Sequence, residues 1–250
     1  MHKIFANSLF IGKKLEILPH CQSTNKTAIN LINTQSPPDG TIILTENQTD
    51  GRGQRGNKWQ SAAGKNLTCT FIMKPHFLAI QDQFALNMIS SLAVLKGVNE
   101  MIGKTVKVKW PNDVYVGDMK IAGILVENVI RGTRIDYSAI GIGLNINQLE
   151  FENPKATSMK DLTLVDFDIY KVLETIGGYL ESYYLTLKSD PAEVKKQYLK
   201  NLYWINEPHV FKHHELFTGR IQGIDGTGKL LIEHDERQEA FDIKEVEFIE

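Results

Sequence analysis

Residues 105–121 have the sequence TVKVKWPNDVYVGDMKI, which contains two strand-like runs, a proline break and a tight turn. In the first run Val106, Val108 and Trp110 alternate with two lysines, as expected for a strand with one buried face. The Gly117-Asp118 pair after the second run predicts a hairpin. Strands joined by turns this short must be antiparallel, so the pattern excludes a doubly wound parallel sheet.

The same patterns continue on both sides of this segment. Further strands are predicted at residues 2–20 (one or two short strands), 41–46, 66–73, 120–130 and 135–147. Helices are predicted at residues 28–32, 81–102, 166–187 and 191–203. Ser23 or Thr24 is expected to cap the first helix, and Asp190-Pro191 to open the last. We therefore predict an α+β fold with a mixed, largely antiparallel sheet flanked by helices.

From Pro208 onward, short strand-like runs replace the helical patterns. Glycine turns are predicted there at Gly219, Gly223, Gly226 and Gly228. We expect two domains, a catalytic domain at residues 1–203 and a small all-β domain at residues 204–250.

Charge and cysteine content limit the function classes. The chain has 250 residues, with 28 lysines and arginines against 30 aspartates and glutamates. This balance argues against a protein that mainly coats nucleic acid or an anionic membrane. Cys21 and Cys69 are too few for a disulfide framework. With no signal-peptide pattern and no apolar stretch of bilayer length, we predict a soluble cytoplasmic protein.

Residues 51–59, GRGQRGNKW, form a basic glycine-rich loop between two predicted strands. Glycines leave backbone N–H groups uncovered and arginines match phosphate oxygens two at a time, so the loop is suited to bind an anion. Trp59 adds a flat ring on which a base could stack. The alternative is a solvated turn. A P-loop is excluded, because Asn57 stands where its lysine is required.

The order of several motifs resembles the biotin protein ligases. The matching segments are Ser23-Thr24-Asn25, Gln48 with Gly51-Arg52-Gly53-Gln54-Arg55-Gly56 and Trp59, Lys109-Trp110-Pro111-Asn112-Asp113 with Ala122-Gly123-Ile124-Leu125, and Gly141-Ile142-Gly143-Leu144-Asn145-Ile146-Asn147. A weaker match is Ala156-Thr157-Ser158-Met159. The resemblance spans nearly the whole chain. It implies a catalytic domain similar to class II synthetases, followed by an SH3-like β-barrel.

The resemblance also implies two half-reactions. The carboxylate of biotin attacks the α-phosphate of ATP, which is expected with Mg²⁺, and gives biotinyl-5′-AMP and pyrophosphate. The amine of one lysine on a biotin carboxyl carrier protein then attacks the acyl carbon and releases AMP. Such a site must supply fixed positive charge where two anions meet.

The site residues follow from the matched motifs. The resemblance assigns catalytic roles to Lys109 and Arg52. It assigns biotin binding to Ser23, Thr24, Asn25, Gln48, Gly51, Arg52, Gly53, Gln54, Lys109 and Gly123. It assigns ATP binding to Arg52, Arg55, Trp59, Lys109, Asn112 and Asn145. Taken alone, Lys109 is typical of an exposed strand lysine, and the alternative role for Asn145 is a turn residue at the end of a strand.

The loop departs from the family pattern at two positions. Gln54 and Asn57 stand where many relatives carry arginine. This leaves open which side chains meet the triphosphate, with Arg55 and Lys58 as candidates.

The resemblance further predicts the partners. The expected partner is a biotin carboxyl carrier protein or domain, with neither DNA nor a membrane. The ligase pattern begins at Ser23, which leaves no room for the helix-turn-helix of repressor relatives, so we expect a monofunctional ligase. The chain is expected to be a monomer or a homodimer. The β domain could close the site, receive the carrier or only cap the main domain.

Two other functions are kept as alternatives. The first is a lipoate or octanoate ligase or transferase of the same fold, and the second is a nucleic-acid-binding protein that uses the basic loop. No metal site is predicted. His209, His213 and His214 are close in sequence but lie in the β-like region.

Overall fold

The structure is a computed structural model that describes residues 4–249, apart from the side chain of Arg55. Within these residues the first sheet has seven strands: β1 (Leu15–Leu18), β2 (Thr41–Thr45), β3 (Leu67–Met73), β4 (Val106–Lys109), β5 (Asp113–Val116), β6 (Met119–Arg131) and β7 (Arg134–Leu144). Their order is β1-β2-β3-β7-β6-β5-β4. β1 is parallel to β2, and the other neighbours are antiparallel. The predicted mixed, largely antiparallel sheet is confirmed.

Helices cover both faces of this sheet. In the described part of the chain they are α1 (Thr24–Gln35), α2 (Phe84–Ile102), α3 (Met159–Thr163), α4 (Ile169–Ser189) and α5 (Pro191–Lys200). Short 3-10 turns occur at Gln54–Gly56 and Ile80–Asp82. The sequence patterns did not predict α3, because five residues are too few to show helical periodicity. Of the N-terminal strands expected within residues 2–20, β1 is present, and residues 1–3 lie outside the described part.

The central strands are buried on both faces. Every residue of β2 and β3 is buried. On one face Ile43, Ile72 and Ala139 pack in a cluster with Ala28 and Ile32 of α1. The opposite face joins the larger core, which includes α2 and α4. A strand covered on both sides is expected to be a continuous apolar run, which is the pattern of β2.

The N-terminal segment is anchored to α4. The carboxylate of Glu181, which is 8% exposed, accepts hydrogen bonds from the backbone N–H groups of Leu9 (2.8 Å), Phe10 (2.8 Å) and Ile11 (2.9 Å). The ring of Phe5 lies on Gly177, where a β-carbon would be 2.4 Å from the ring. This close contact explains a glycine inside an otherwise regular helix.

A second, antiparallel sheet follows α5. Its strands within residues 4–249 are β8 (Pro208–Lys212), β9 (Leu216–Ile224), β10 (Leu230–His234), β11 (Arg237–Phe241) and β12 (Glu247–Phe248). Their order is β11-β10-β9-β8-β12. The turns predicted at Gly219 and Gly223 were wrong, because both residues lie within β9. Gly219 is required there by packing, since a β-carbon would lie 2.6 Å from Ile232.

The second sheet packs against the first part of the chain. The indole Nε1 of Trp110 donates a 2.9 Å hydrogen bond to the carbonyl of Gly228. Phe211, Ile221 and Phe241 belong to the same apolar cluster as α2 and α4. The domain boundary near residue 204 falls in the connection between α5 and β8 and stays a prediction. No helix among residues 4–249 is long and apolar enough to span a membrane.

Candidate active site

A cavity of about 460 Å³ lies on one face of the first sheet. Segments from distant parts of the chain line it: residues 23–25 at the start of α1, Gln48, residues 52–54 and 57–59 of the basic loop, residues 68–69 of β3, residues 110–113, Lys120, residues 123–125 of β6, residues 141–143 of β7, and residues 243–244 and 246–248 near the C terminus. Most of the residues that the sequence assigned to biotin and ATP therefore meet in one place.

The basic loop closes one side of this cavity as a small hairpin. Arg52 and Lys58 form an antiparallel bridge, and Gly53 N–H donates to the carbonyl of Asn57 at 2.7 Å. Trp59 N–H donates to the carbonyl of Gly51 at 3.0 Å. Gly51 has no room for a side chain, because a β-carbon would lie 2.2 Å from the carbonyl oxygen of Trp59. These contacts hold Arg52 and Trp59 toward the sheet.

The indole of Trp59 lies on a floor of glycines. Gly123 of β6 and Gly143 of β7 are register partners. A β-carbon on Gly143 would lie 2.3 Å from Trp59 Cε2, and one on Gly123 would lie 3.1 Å from Cζ3. The Nε1 of Trp59 is buried and has no hydrogen-bond partner among the described residues. The floor accepts a flat ring, and the indole carries a donor that lacks an acceptor.

Polar side chains surround the start of α1. Ser23 is the N-cap residue, but its hydroxyl makes no capping bond. Instead, Oε1 of Gln48 accepts a 2.9 Å hydrogen bond from Thr24 N–H. The hydroxyl of Thr70 lies 2.7 Å from Asn25 Oδ1 and 2.8 Å from the Thr24 hydroxyl. The predicted cap position is confirmed, and the capping oxygen comes from Gln48 rather than from Ser23 or Thr24.

Lys120 is a cavity residue that sequence reasoning missed. Its Nζ lies 2.7 Å from Asp113 Oδ1 and 5.7 Å from the centre of the Trp59 ring. Lys120 and Gly123 are three residues apart, so simple alternation places them on opposite faces of β6. A register shift opposite Val114 and Tyr115 inserts one extra residue between them and brings both to the cavity. A bulge of this kind leaves no clear signal in the sequence.

Three predicted site residues do not line this cavity in the described part of the chain. Lys109 instead places its Nζ above the rings of Tyr115 and Phe248, at 4.8 and 5.0 Å. Asn145 is 4% exposed and donates to the carbonyl of Thr157 at 3.0 Å, so its amide holds the end of β7 in place. Gly51 belongs to the basic loop and lines a second, neighbouring cavity.

Asn112 does line the cavity, but its amide nitrogen donates to the carbonyl of Ile124. The side chain of Arg55, which is predicted to bind ATP, lies outside the described part of the structure.

The described cavity wall carries more basic than acidic side chains. The basic ones are Arg52, Lys58, Lys120 and Lys244, and the acidic ones are Asp113 and Glu247. Asp113 is paired with Lys120, and Arg52 Nη2 lies 3.6 Å from Asp50. Cys69 is neutral, because burial raises the pKa of its thiol. A wall with excess positive charge favours an anionic ligand.

The C-terminal segment forms a further part of the cavity wall. Ile243, Lys244, Val246, Glu247 and Phe248 line it. This segment has no motif that could have been recognised in the sequence. The contact depends on the docking of the second sheet.

The histidines of the second sheet form no metal centre. Among residues 4–249 no group of three or more His, Cys, Asp or Glu side chains is arranged to hold a metal ion. His209 instead stacks on Trp204, with ring centroids 3.7 Å apart.

Comparison with known proteins identifies the family. The model of the biotin/lipoate A/B protein ligase family matches residues 18–145. The bifunctional ligase/repressor BirA of Bacillus subtilis (strain 168) is 29% identical over 252 residues, which cover 94% of this chain and 76% of that protein. The biotin–[acetyl-CoA-carboxylase] ligase of Mycobacterium tuberculosis is 29% identical over 174 residues, which cover 68% and 64%.

The fold agrees with solved structures. The biotin protein ligase from Aquifex aeolicus in complex with biotin and ATP superimposes with a TM-score of 0.78 and 26% identity, over 94% of this chain and 98% of that one. The family match covers more than half of the 250 residues and contains the loop, the glycine floor and Lys120. This chain belongs to the biotin/lipoate A/B protein ligase family.

Proposed function

We propose that this protein activates biotin with ATP to biotinyl-5′-AMP and then transfers biotin to a lysine of a biotin carboxyl carrier protein. One observation carries the proposal. Arg52 from the loop and Lys120 from β6 line the same cavity as the polar residues at the start of α1. Relatives with this fold are named as biotin ligases, and one was solved with biotin and ATP.

Biotin is proposed to bind at the start of α1. Its ureido group needs both donors and acceptors, which Ser23, Thr24, Asn25 and Gln48 offer. Asn25 is held from both sides, because its Nδ2 donates to the carbonyl of Leu125 at 3.1 Å and to Glu127 at 2.7 Å. Fixed polar groups of this kind lower the cost of ordering the site on binding.

The first step joins two anions that repel each other. A carboxylate oxygen of biotin forms a bond to the α-phosphorus, while the bond from that phosphorus to the bridging oxygen breaks and pyrophosphate leaves. Arg52 and Lys120 supply fixed positive charge at this point. The sequence assigned this role to Lys109. Lys120 is the better candidate, because it lines the cavity and Asp113 holds its ammonium group at 2.7 Å.

ATP is proposed to lie beside Trp59. The adenine is expected to stack on the indole, and Trp59 Nε1 gains an acceptor when the loop adjusts to the nucleotide. Gln54 and Asn57 line the cavity without charge, so Lys58 and Lys244 are proposed to meet the phosphates in place of the arginines that many relatives carry.

Mg²⁺ is proposed to enter the cavity bound to ATP. The cavity offers two carboxylates, Asp113 and Glu247. Asp113 is paired with Lys120, which leaves Glu247 as the carboxylate that fits Mg²⁺, an ion that commonly binds through one or two carboxylates together with substrate phosphates. When bound, the ion would neutralise phosphate charge.

In the second step the lysine amine of the carrier attacks the acyl carbon, and AMP leaves. An acyl adenylate is lost to hydrolysis if water reaches it, so the loop and residues 243–248 are proposed to cover it. In this proposal residues 1–203 form the biotin and ATP domain and residues 204–250 the β domain. The reaction takes place in the cytoplasm, where Cys21 and Cys69 stay free thiols.

A lipoate or octanoate enzyme is the alternative that the family leaves open. The family model covers both biotin and lipoate ligases. Two features support biotin, namely the names of the relatives and the basic loop that ends in Trp59.

The test is incubation of the protein with ATP, Mg²⁺, biotin and a carrier domain, followed by mass measurement of the carrier. We expect one added biotin, and no addition when any component is left out. Lipoate in place of biotin is expected to give no addition. Labelling by lipoate with none by biotin would overturn the proposal in favour of the alternative.

A further inference from the structure

Lys109 is enclosed by aromatic rings from three parts of the chain. Its Nζ lies 4.8 Å from the ring centre of Tyr115, 5.0 Å from that of Phe248 and 5.8 Å from that of Tyr203. Its Nζ also lies 3.4 Å from the hydroxyl of Tyr115. We call this arrangement the Lys109 cage. It joins β5, the connection after α5 and the last strand, β12.

The cage meets the cavity through Phe248. Phe248 lines the cavity, whereas the other cage members are not among the lining residues of the described structure. Strand β12 is short and pairs with β8 through Glu247 and Phe248. The segment is also anchored by a hydrogen bond from Ile249 N–H to the carbonyl of Val210 at 3.1 Å and by the buried side chain of Val246. The ring contacts of Phe248 add to these.

The rings of the cage continue into the second sheet. Phe248 stacks on Trp204 at 5.5 Å with an interplanar angle of 29°, and Trp204 stacks on Tyr203 at 4.8 Å and 22°. Tyr203 is fixed in turn, because its hydroxyl donates to Asp118 at 2.6 Å. The ammonium group of Lys109 thus lies near both ends of a three-ring stack, and the end formed by Phe248 is part of the cavity wall.

A cation held over ring faces is attracted by their quadrupoles, more strongly where water is excluded. We propose that Lys109 is a positioning residue. It holds Phe248, and with it residues 243–248, against the cavity through the cage. The kinetic consequence rests on the proposed function, whereas the structural consequence does not.

Lys107 provides a matched control. It lies on β4 two residues before Lys109 and faces the same side of the strand. Its Nζ lies 3.4 Å from the carbonyl of Lys200, outside the cage. The substitutions Lys109→Met and Lys107→Met remove the same charge and keep a long apolar side chain. Lys109→Arg keeps the charge, and Phe248→Leu removes the ring.

The first experiment measures amide hydrogen exchange of residues 243–249 in the protein without ligands. Lys109→Met is expected to speed exchange about three- to tenfold, the range that loss of a cation–ring contact gives. Phe248→Leu should speed it at least as much, because it also removes the stack on Trp204. The double variant should exchange little faster than Phe248→Leu alone, because that substitution already removes the contact with Lys109. Lys109→Arg and Lys107→Met should match the original protein. Unchanged exchange in Lys109→Met would overturn the proposal, whether or not the protein ligates biotin.

The second experiment measures adenylate formation at varied ATP. A positioning role predicts that Lys109→Met raises KM for ATP about three- to tenfold and changes kcat less than about twofold. Lys109→Arg should restore the original KM. A large loss of kcat at saturating ATP, in both Lys109→Met and Lys109→Arg, would contradict this role and show that Lys109 touches the reacting atoms.

Discussion

Trp59 and Gly143 are in direct contact, with the indole so close that a β-carbon on Gly143 would lie 2.3 Å from Cε2. Gly143→Ala must therefore displace the indole from the glycine floor. Because Trp59 is proposed to stack on adenine, we expect KM for ATP to rise at least about tenfold, as for loss of a stacking contact. Steady-state adenylate formation measures this.

The control for this prediction is Gly226→Ala, since a β-carbon on Gly226 meets nothing within 4 Å. Its KM for ATP should not change. An unchanged KM in Gly143→Ala would show that the position of Trp59 does not matter for the nucleotide.

Gly177 and Gly178 are neighbours in α4 with opposite surroundings. A β-carbon on Gly177 would lie 2.4 Å from the Phe5 ring, whereas one on Gly178 meets nothing within 4 Å. Gly177→Ala is expected to lower the free energy of unfolding by about 1–3 kcal/mol through overpacking. Gly178→Ala should raise it by about 0.5–1 kcal/mol, because alanine favours the helix. Urea unfolding of both variants checks the pair, and equal effects would contradict the packing of Phe5.

Glu181 is expected to stabilise the fold by holding the N-terminal segment. Its two oxygens accept three backbone N–H groups in a nearly buried position. Glu181→Gln replaces one acceptor oxygen with a donor that faces these N–H groups. We expect a loss of about 1–3 kcal/mol in urea unfolding. Glu174→Gln is the milder comparison, because Glu174 is exposed and, among residues 4–249, accepts one such bond, from Phe5 at 3.0 Å. Equal losses of stability in the two variants would mean that the buried hydrogen bonds of Glu181 stabilise the fold no more than the exposed one of Glu174.

Asp39 is expected to make stability depend on pH. Burial raises the pKa of Asp39 above its usual value, and the hydrogen bond from Lys74 N–H at 2.9 Å lowers it by less. Since the folded state favours the protonated form, the charged carboxylate weakens the fold above the raised pKa. This loss of stability disappears as the pH falls below the pKa that Asp39 has in the unfolded state.

Asp39→Asn keeps an oxygen for Lys74 and carries no charge. The variant should therefore be at least as stable as the original protein at pH 7, and the difference should shrink as the pH falls toward about 4. Urea unfolding at several pH values measures it. If the advantage of Asp39→Asn over the original protein grew as the pH fell, the predicted direction of the pH dependence would be contradicted.

Much of the fold follows from local patterns. Alternation and the Gly117-Asp118 turn predict the β4–β6 meander, which is present. The proximity of the loop, the start of α1 and the glycine strand could be expected only because a family resemblance links their motifs. No local rule joins segments that are so distant in sequence.

The parts that could not be predicted depend on tertiary contacts. Lys120 reaches the cavity through a bulge, and residues 243–248 reach it because the second sheet docks through Trp110 and Gly228. Lys109 carries the expected motif, but its strand position turns it toward the rings of the cage. A motif can show which residues belong to the site. It does not show which groups each side chain contacts.

The most direct measurement is the single-turnover yield of biotinyl-5′-AMP from biotin and ATP without a carrier, followed by mass spectrometry. The account holds that Arg52 and Lys120 jointly neutralise the meeting anions. Arg52→Ala and Lys120→Ala should each slow adenylate formation at least about a hundredfold. Lys107→Ala, which removes a charge outside the cavity, should form it at the original rate. Adenylate formed at the original rate by Lys120→Ala or Arg52→Ala would contradict the account.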